Sequence, residues 1–117
     1  MAASPEAAKY LWDAQRAAER IARFTAGQTY DDYLAHEMMR AAVERQFEII
    51  GEALAGLRRT DPALAAAVPE LARIIAFRNV LIHGYATVDD GLVWGVAERD
   101  LPELLRTLAR LLASAGT

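Results

Sequence analysis

The 117-residue chain is 54% hydrophobic and 25% charged, a composition that suits one packed domain and excludes both a disordered chain and a membrane-spanning one. It has no cysteine, which rules out disulfides, zinc–thiolate centres and thiol catalysis together. A formal net charge of −3 argues against a broadly basic, non-specific nucleic-acid surface, while leaving room for a local basic cleft.

No apolar run approaches the roughly 20 residues of a membrane helix, and Met1 to Glu6 lacks the basic and apolar regions of a signal peptide. A cytoplasmic protein is expected. Lys9 is the only lysine, against twelve arginines. Genome base composition explains such a bias as readily as phosphate recognition by guanidinium groups does.

Ser4-Pro5-Glu6 reads as a helix start, with Ser4 as N-cap, Pro5 in the first turn and Glu6 at the positive end of the dipole. Tyr10, Leu11, Ala14, Ala18, Ile21 and Phe24 follow at three-to-four spacing, and Gly27 ends the helix. Thr29-Tyr30-Asp31-Asp32 caps a second helix, expected from about Asp31 to Leu57, with Leu34, Met39, Val43, Phe47, Ile50, Leu54 and Leu57 as its seam. Gly51 costs that helix about 1 kcal/mol relative to alanine. Close approach of another helix explains it better than a break.

Asp61-Pro62 caps a short helix to about Ala67, and Val68-Pro69 forces a restart. Pro69 to Leu81 or His83 is helical, with Leu71, Ile74, Ile75 and, as further core candidates, Val80, Leu81 and Ile82; Gly84 terminates it. Asp89-Asp90 caps a last region rich in leucine. Pro102 within it, flanked by a capping-box pattern from Asp100 to Glu103, predicts a kink or two abutting helices. Nothing alternates as a strand would. The expectation is one all-α domain, residues 1–117: an antiparallel bundle of four main helices plus short ones, its two longest forming a hairpin.

The octapeptide Arg78-Asn79-Val80-Leu81-Ile82-His83-Gly84-Tyr85 is where chemistry is expected. Residues on a helix advance about 100° each, so Arg78 and His83 diverge by about 140°. Either the helix ends near His83 and the imidazole swings, or two copies of the motif meet and share a cleft. The groups suit phosphodiester cleavage through the RNA's own 2′-hydroxyl. Histidine serves as base or acid near neutrality. Arginine donates to phosphate oxygens. Asn79, one turn before His83, can hold the ring or a phosphate oxygen. No metal is required, and neither a metal site nor a cofactor is evident.

These residues resemble a known family. Arg78-Asn79-x-Leu81-x-His83-x-Tyr85 is similar to the Arg-x4-His-x-Tyr motif of HepT-like proteins, a branch of the HEPN superfamily. Glu48-Ile49-Ile50-Gly51-Glu52-Ala53 resembles the family's second-helix signature. Leu92-Val93-Trp94 and Asp100-Leu101-Pro102-Glu103-Leu104 resemble its C-terminal region. The resemblance runs from about Tyr10 to Leu112 and departs only where Ala67-Val68-Pro69-Glu70 lacks a tryptophan usual before the motif helix.

It implies a HEPN-like fold and the toxin of a type VII toxin–antitoxin pair, a metal-independent endoribonuclease acting as a homodimer on RNA, with tRNA a candidate substrate. Arg78 and His83 would be catalytic, with Asn79 supporting. The implied partner is a minimal nucleotidyltransferase antitoxin that adds AMP to Tyr85, placing bulk and negative charge beside Arg78. Two rival readings are a non-catalytic helical subunit that docks with a nucleotidyltransferase and a plain helical interaction module.

Glu44, Glu48 and Glu52 lie in one row at i, i+4 and i+8. Without a histidine or an opposing carboxylate helix they read as a solvated face, or as partners for Arg45, Arg73 or Arg78. A Glu52–Arg78 ion pair would orient the guanidinium. His36 reads as exposed, Met38-Met39 as core or dimer seam, and Tyr33 and Trp94 as packing residues before base-stacking ones.

Overall fold

The computed structural model describes residues 3–84 and 88–115. Among these the chain forms seven α-helices and one π-helical turn, with no strand. They are α1 (Pro5–Thr25), α2 (Tyr30–Ala35), α3 (Glu37–Thr60), α4 (Pro62–Ala65), α5 (Leu71–His83), α6 (Asp90–Gly95), the turn Val96–Asp100, and α7 (Leu101–Ala115).

Helix α1 begins as its sequence dictates. The Ser4 hydroxyl accepts the Ala7 N–H at 3.1 Å, with Pro5 at the first helical position. Gly27 follows the helix at φ +72, the left-handed conformation that a glycine adopts freely. The buried stripe is Ala7, Leu11, Ala14, Ala17, Ala18 and Ile21. Its small residues admit α3 closely, and α1 with α3 makes the largest helix–helix interface. Tyr10, early in α1, lies against Gly56, late in α3, so the pair is antiparallel. Helix α7 packs on α1, and α5 packs on α3. Leu11, Ile21, Ile50, Leu54, Leu57 and Leu108 are fully buried at the centre. The expected hairpin of long helices, with the motif and C-terminal helices packed on it, is thus the observed architecture.

The helix expected from Asp31 to Leu57 is two helices, broken at His36 (φ −116, ψ 94). A reciprocal cap starts α2: the Thr29 hydroxyl accepts the Asp32 N–H at 3.0 Å, and the Asp32 carboxylate accepts the Thr29 N–H at 2.9 Å. Hydrogen bonding from Thr29, its backbone N–H first and its hydroxyl second, holds the Asp32 carboxyl below its ordinary value. At the other end, the carbonyls freed by the break find side-chain donors. His36 Nδ1 donates to the Asp32 carbonyl at 2.7 Å, and the Arg40 guanidinium donates to the carbonyls of Tyr33 and Leu34. Paired carbonyls make a break without glycine or proline tolerable. The break leaves Leu34 exposed and Met38 almost wholly so, where a continuous helix would have placed Leu34 in the seam.

Two further boundaries differ from expectation. Helix α5 starts at Leu71, because Glu70 takes a left-handed conformation (φ 61, ψ 26) after Pro69. Before Pro102 the chain stays helical but widens: the Leu101 N–H reaches the Val96 carbonyl, a five-residue step. Such a turn gives the proline ring room where its missing N–H and its bulk would disrupt an α-helix. The abutting helices are therefore joined through a π turn, and Asp100 faces Arg73 at 3.7 Å instead of capping α7.

Helices α2, α3 and α6 meet around Tyr33, whose ring is buried 5.2 Å from that of Trp94. Both aromatics pack, as expected. The Tyr33 hydroxyl has no protein partner, and burial raises its pKa. Nearby, the Glu44 carboxyl is raised first by burial, then by Asp90 and Glu48, with Arg40 opposing. Arg40 also lies 3.9 Å from Asp90, tying α3 to α6. A carboxyl raised by folding stabilises the fold below its unfolded pKa and loses that contribution as pH rises through the folded value. Glu44→Gln should therefore melt above the wild type at pH 7, with the advantage vanishing as pH falls below 4.5. A wild type that melts higher at pH 7 contradicts this.

Candidate active site

Helix α5 is held at a defined roll by its apolar side chains. Ile75 and Leu81 are buried, and Phe77 meets Phe47 of α3 edge-to-face at 5.3 Å. Val80, a core candidate in the sequence, points away from this face and is 52% exposed. The next residue after Phe77 is Arg78, and it lands on Gly51. A Cβ built on Gly51 would lie 2.2 Å from Arg78 Cβ, 2.6 Å from Cγ and 3.2 Å from Cδ. The side-chain stem therefore runs through the space that a side chain on residue 51 would fill. The close approach expected at Gly51 is real, and the approaching group is the motif arginine.

Beyond this crossing, Arg78 Nε is buried without a protein partner, while Nη1 donates to Asn79 Oδ1 at 3.2 Å. Among the described residues no carboxylate lies within 4 Å of the guanidinium. Glu52 is 3.9 Å from Arg45, and Glu48 is 3.6 Å from the same arginine. The Glu52–Arg78 ion pair is thus not formed, and two of the three glutamates in the row serve Arg45. Among the described residues no group of three or more His, Cys, Asp or Glu side chains gathers as a metal site requires.

Helix α5 remains regular to its last residue, His83, which is exposed, and the Gly84 N–H closes the end on the Val80 carbonyl at 2.8 Å. Asn79 is exposed beside Arg78. One copy of the helix therefore brings Arg78 and Asn79 together and turns His83 about 140° from Arg78, on the face of Asn79 one turn further on. Tyr85 lies outside the described residues.

An arginine held by packing and, among the described residues, free of carboxylates, with an exposed histidine and an exposed amide on the same helix, has the chemistry that binding a phosphate ester calls for. The HepT-like ribonuclease family matches residues 14–111, spanning the whole of this arrangement. The chain belongs to that family. It is 36% identical over 97 residues to a protein of Thermococcus cleftensis named as a proposed ribonuclease HepT, covering 81% of this chain and 86% of the relative. It is 32% identical over 95 residues to a protein of Methanocaldococcus jannaschii named as a proposed RNase, with the same coverage. A protein of Caldanaerobacter subterraneus, likewise named as a proposed RNase, shares 27% over 103 residues, or 88% of this chain and 91% of its own. No solved structure gives a significant match.

The HepT-like chain has one further concavity of note near α5, which no sequence pattern announces. An apolar groove with a cavity volume of about 210 Å³ is lined by Phe47, Ile74, Phe77, Leu92, Val96 and Leu104, with Arg73, Glu70 and Asp100 at its rim. It holds no histidine. Its lining comes from three separate stretches of chain, residues 47–50, 69–77 and 92–107, so only folding assembles it. Among the described residues no helix is long and apolar enough to cross a membrane.

Proposed function

We propose that this chain is a metal-independent endoribonuclease that cuts RNA through the substrate's own 2′-hydroxyl. The observation that carries the reading is the state of Arg78: pinned at its stem by Gly51, bonded to Asn79, and paired with no carboxylate among the described residues. A guanidinium so held is ready for the extra negative charge of a phosphorane, and it need not reorganise to meet it. Membership of the HepT-like family and the names of the relatives support the same reading.

In this mechanism His83 takes the proton from the 2′-oxygen as that oxygen attacks phosphorus. The 5′-oxygen leaves with a proton from a second imidazole, and the product is a 2′,3′-cyclic phosphate. Because α5 turns Arg78 and His83 about 140° apart, the working site is a cleft shared by two copies, each contributing both groups. Half-exposed Val80, on the same turn as Asn79, suits coverage by a second chain.

The biological role proposed is that of a type VII toxin, with tRNA among its substrates. Its antitoxin is a minimal nucleotidyltransferase. There the Tyr85 phenol oxygen attacks the α-phosphorus of ATP, releases pyrophosphate and leaves AMP on the ring. The added negative charge, two residues from His83, repels the RNA phosphate.

Purified protein incubated with tRNA in EDTA should yield fragments ending in 2′,3′-cyclic phosphate, and His83→Ala should lower the rate by about 10²–10⁴-fold. Intact RNA at stoichiometric protein would sink the nuclease and favour a docking subunit. Mixed with the cognate nucleotidyltransferase and ATP, the chain should gain the mass of one adenylyl group. Retention of that gain in Tyr85→Phe removes Tyr85 as the target.

A further inference from the structure

We infer that Gly51 is a positioning residue for the proposed reaction: the space left by its absent side chain sets where the Arg78 guanidinium stands. The inference rests on the endoribonuclease reading above. Gly51 lies in the interior of α3, is buried, and is a poorer helix former there than alanine. Helix stability therefore gives no reason for a glycine at this position. The contact supplies one.

Three consecutive carbons of Arg78 would stand within 3.2 Å of a Cβ on residue 51, the nearest at 2.2 Å. That nearest atom is Arg78 Cβ, which is fixed to the backbone. Rotating the side chain cannot move it, so to go from 2.2 Å to ordinary contact at 3.4 Å a methyl group on residue 51 must push the two helices apart by at least 1.2 Å, or tilt α5. Phe77 against Phe47, one residue away, resists that motion. The stem of an arginine is otherwise flexible, and its ordering would have to be repeated for each substrate bound. Here the stem is already confined on α3, Nε is buried, and only the far end, bonded to Asn79, is directed outward. Gly51 touches neither substrate nor reacting atoms, so its effect reaches the chemistry only through Arg78.

The test is a double-mutant cycle with Gly51→Ala and Arg78→Gly, read by tRNA cleavage and by thermal melting on the full chain. Gly51→Ala alone should lower kcat about 10²-fold, the loss expected from displacing a catalytic group by about 1 Å, with KM within about threefold. It should also lower the melting temperature. In the Arg78→Gly background the same substitution meets no Cβ. There it should leave the residual rate unchanged, leave rescue by added guanidinium ion unchanged, and raise the melting temperature as alanine replaces glycine in a helix.

If Gly51→Ala alone does not fold, recovery of folding in the double variant reports the same contact. Wild-type kcat in Gly51→Ala overturns the inference, and so does an equal loss of rate in both backgrounds, which would mark a general packing role. A wild type that does not cleave overturns the ribonuclease reading instead, and an Arg78→Ala variant as active as wild type overturns the role of Arg78 in it. The melting cycle still shows whether Gly51 grips Arg78.

Discussion

The crossing of α3 and α5 at Gly51 and Arg78 is the constraint on which the site depends. Two helices approach so closely there that a charged side chain is threaded between them at its stem, with atoms that would sit 2.2–3.2 Å from any added methyl group. The rest of the fold supports that crossing. Helix α1 backs α3 with a stripe of alanines, α7 backs α1, and Phe47 against Phe77 fixes the roll of α5. The arginine pays for its order once, during folding, and presents a restrained donor thereafter.

The electrostatics around the crossing follow from which carboxylates are occupied elsewhere. Arg45 engages Glu48 and Glu52, and Arg73 engages Glu70 and Asp100. These pairs are exposed and contribute little to stability. Their consequence is that acids near the site already face other cations. Among the described residues, a chain of net charge −3 thereby leaves its motif arginine without a carboxylate, which would reconcile an acidic protein with the phosphate-bearing substrate proposed.

Much of this was legible in the residues, because local rules govern it. The Ser4 and Asp89 caps, the turn at Gly27, the all-α class and the divergence of Arg78 from His83 follow from spacing and side-chain chemistry alone. Gly51 announced a close approach without naming the visitor. What stayed hidden depends on contacts that no local pattern encodes. The break at His36 is supported by Arg40 reaching back to the carbonyls of α2. The left-handed Glu70 and the π turn before Pro102 adjust to packing that only the assembled helices define. Val80 and Leu92 are apolar by type but half exposed, because Leu81 and Val93 beside them take the core.

In the proposed mechanism one α5 helix cannot complete the site and a second copy does. Mixing subunits tests it directly. Arg78→Ala and His83→Ala chains, each inactive alone, are unfolded and refolded together, and tRNA cleavage is measured against equal amounts of each parent. A cleft that combines Arg78 of one copy with His83 of the other predicts that the mixture cleaves well above either parent and below wild type, since each hybrid dimer keeps one Arg78–His83 pairing but only one of the two imidazoles. A mixture as inactive as its parents, with hybrid dimers shown to be present, would contradict the shared cleft.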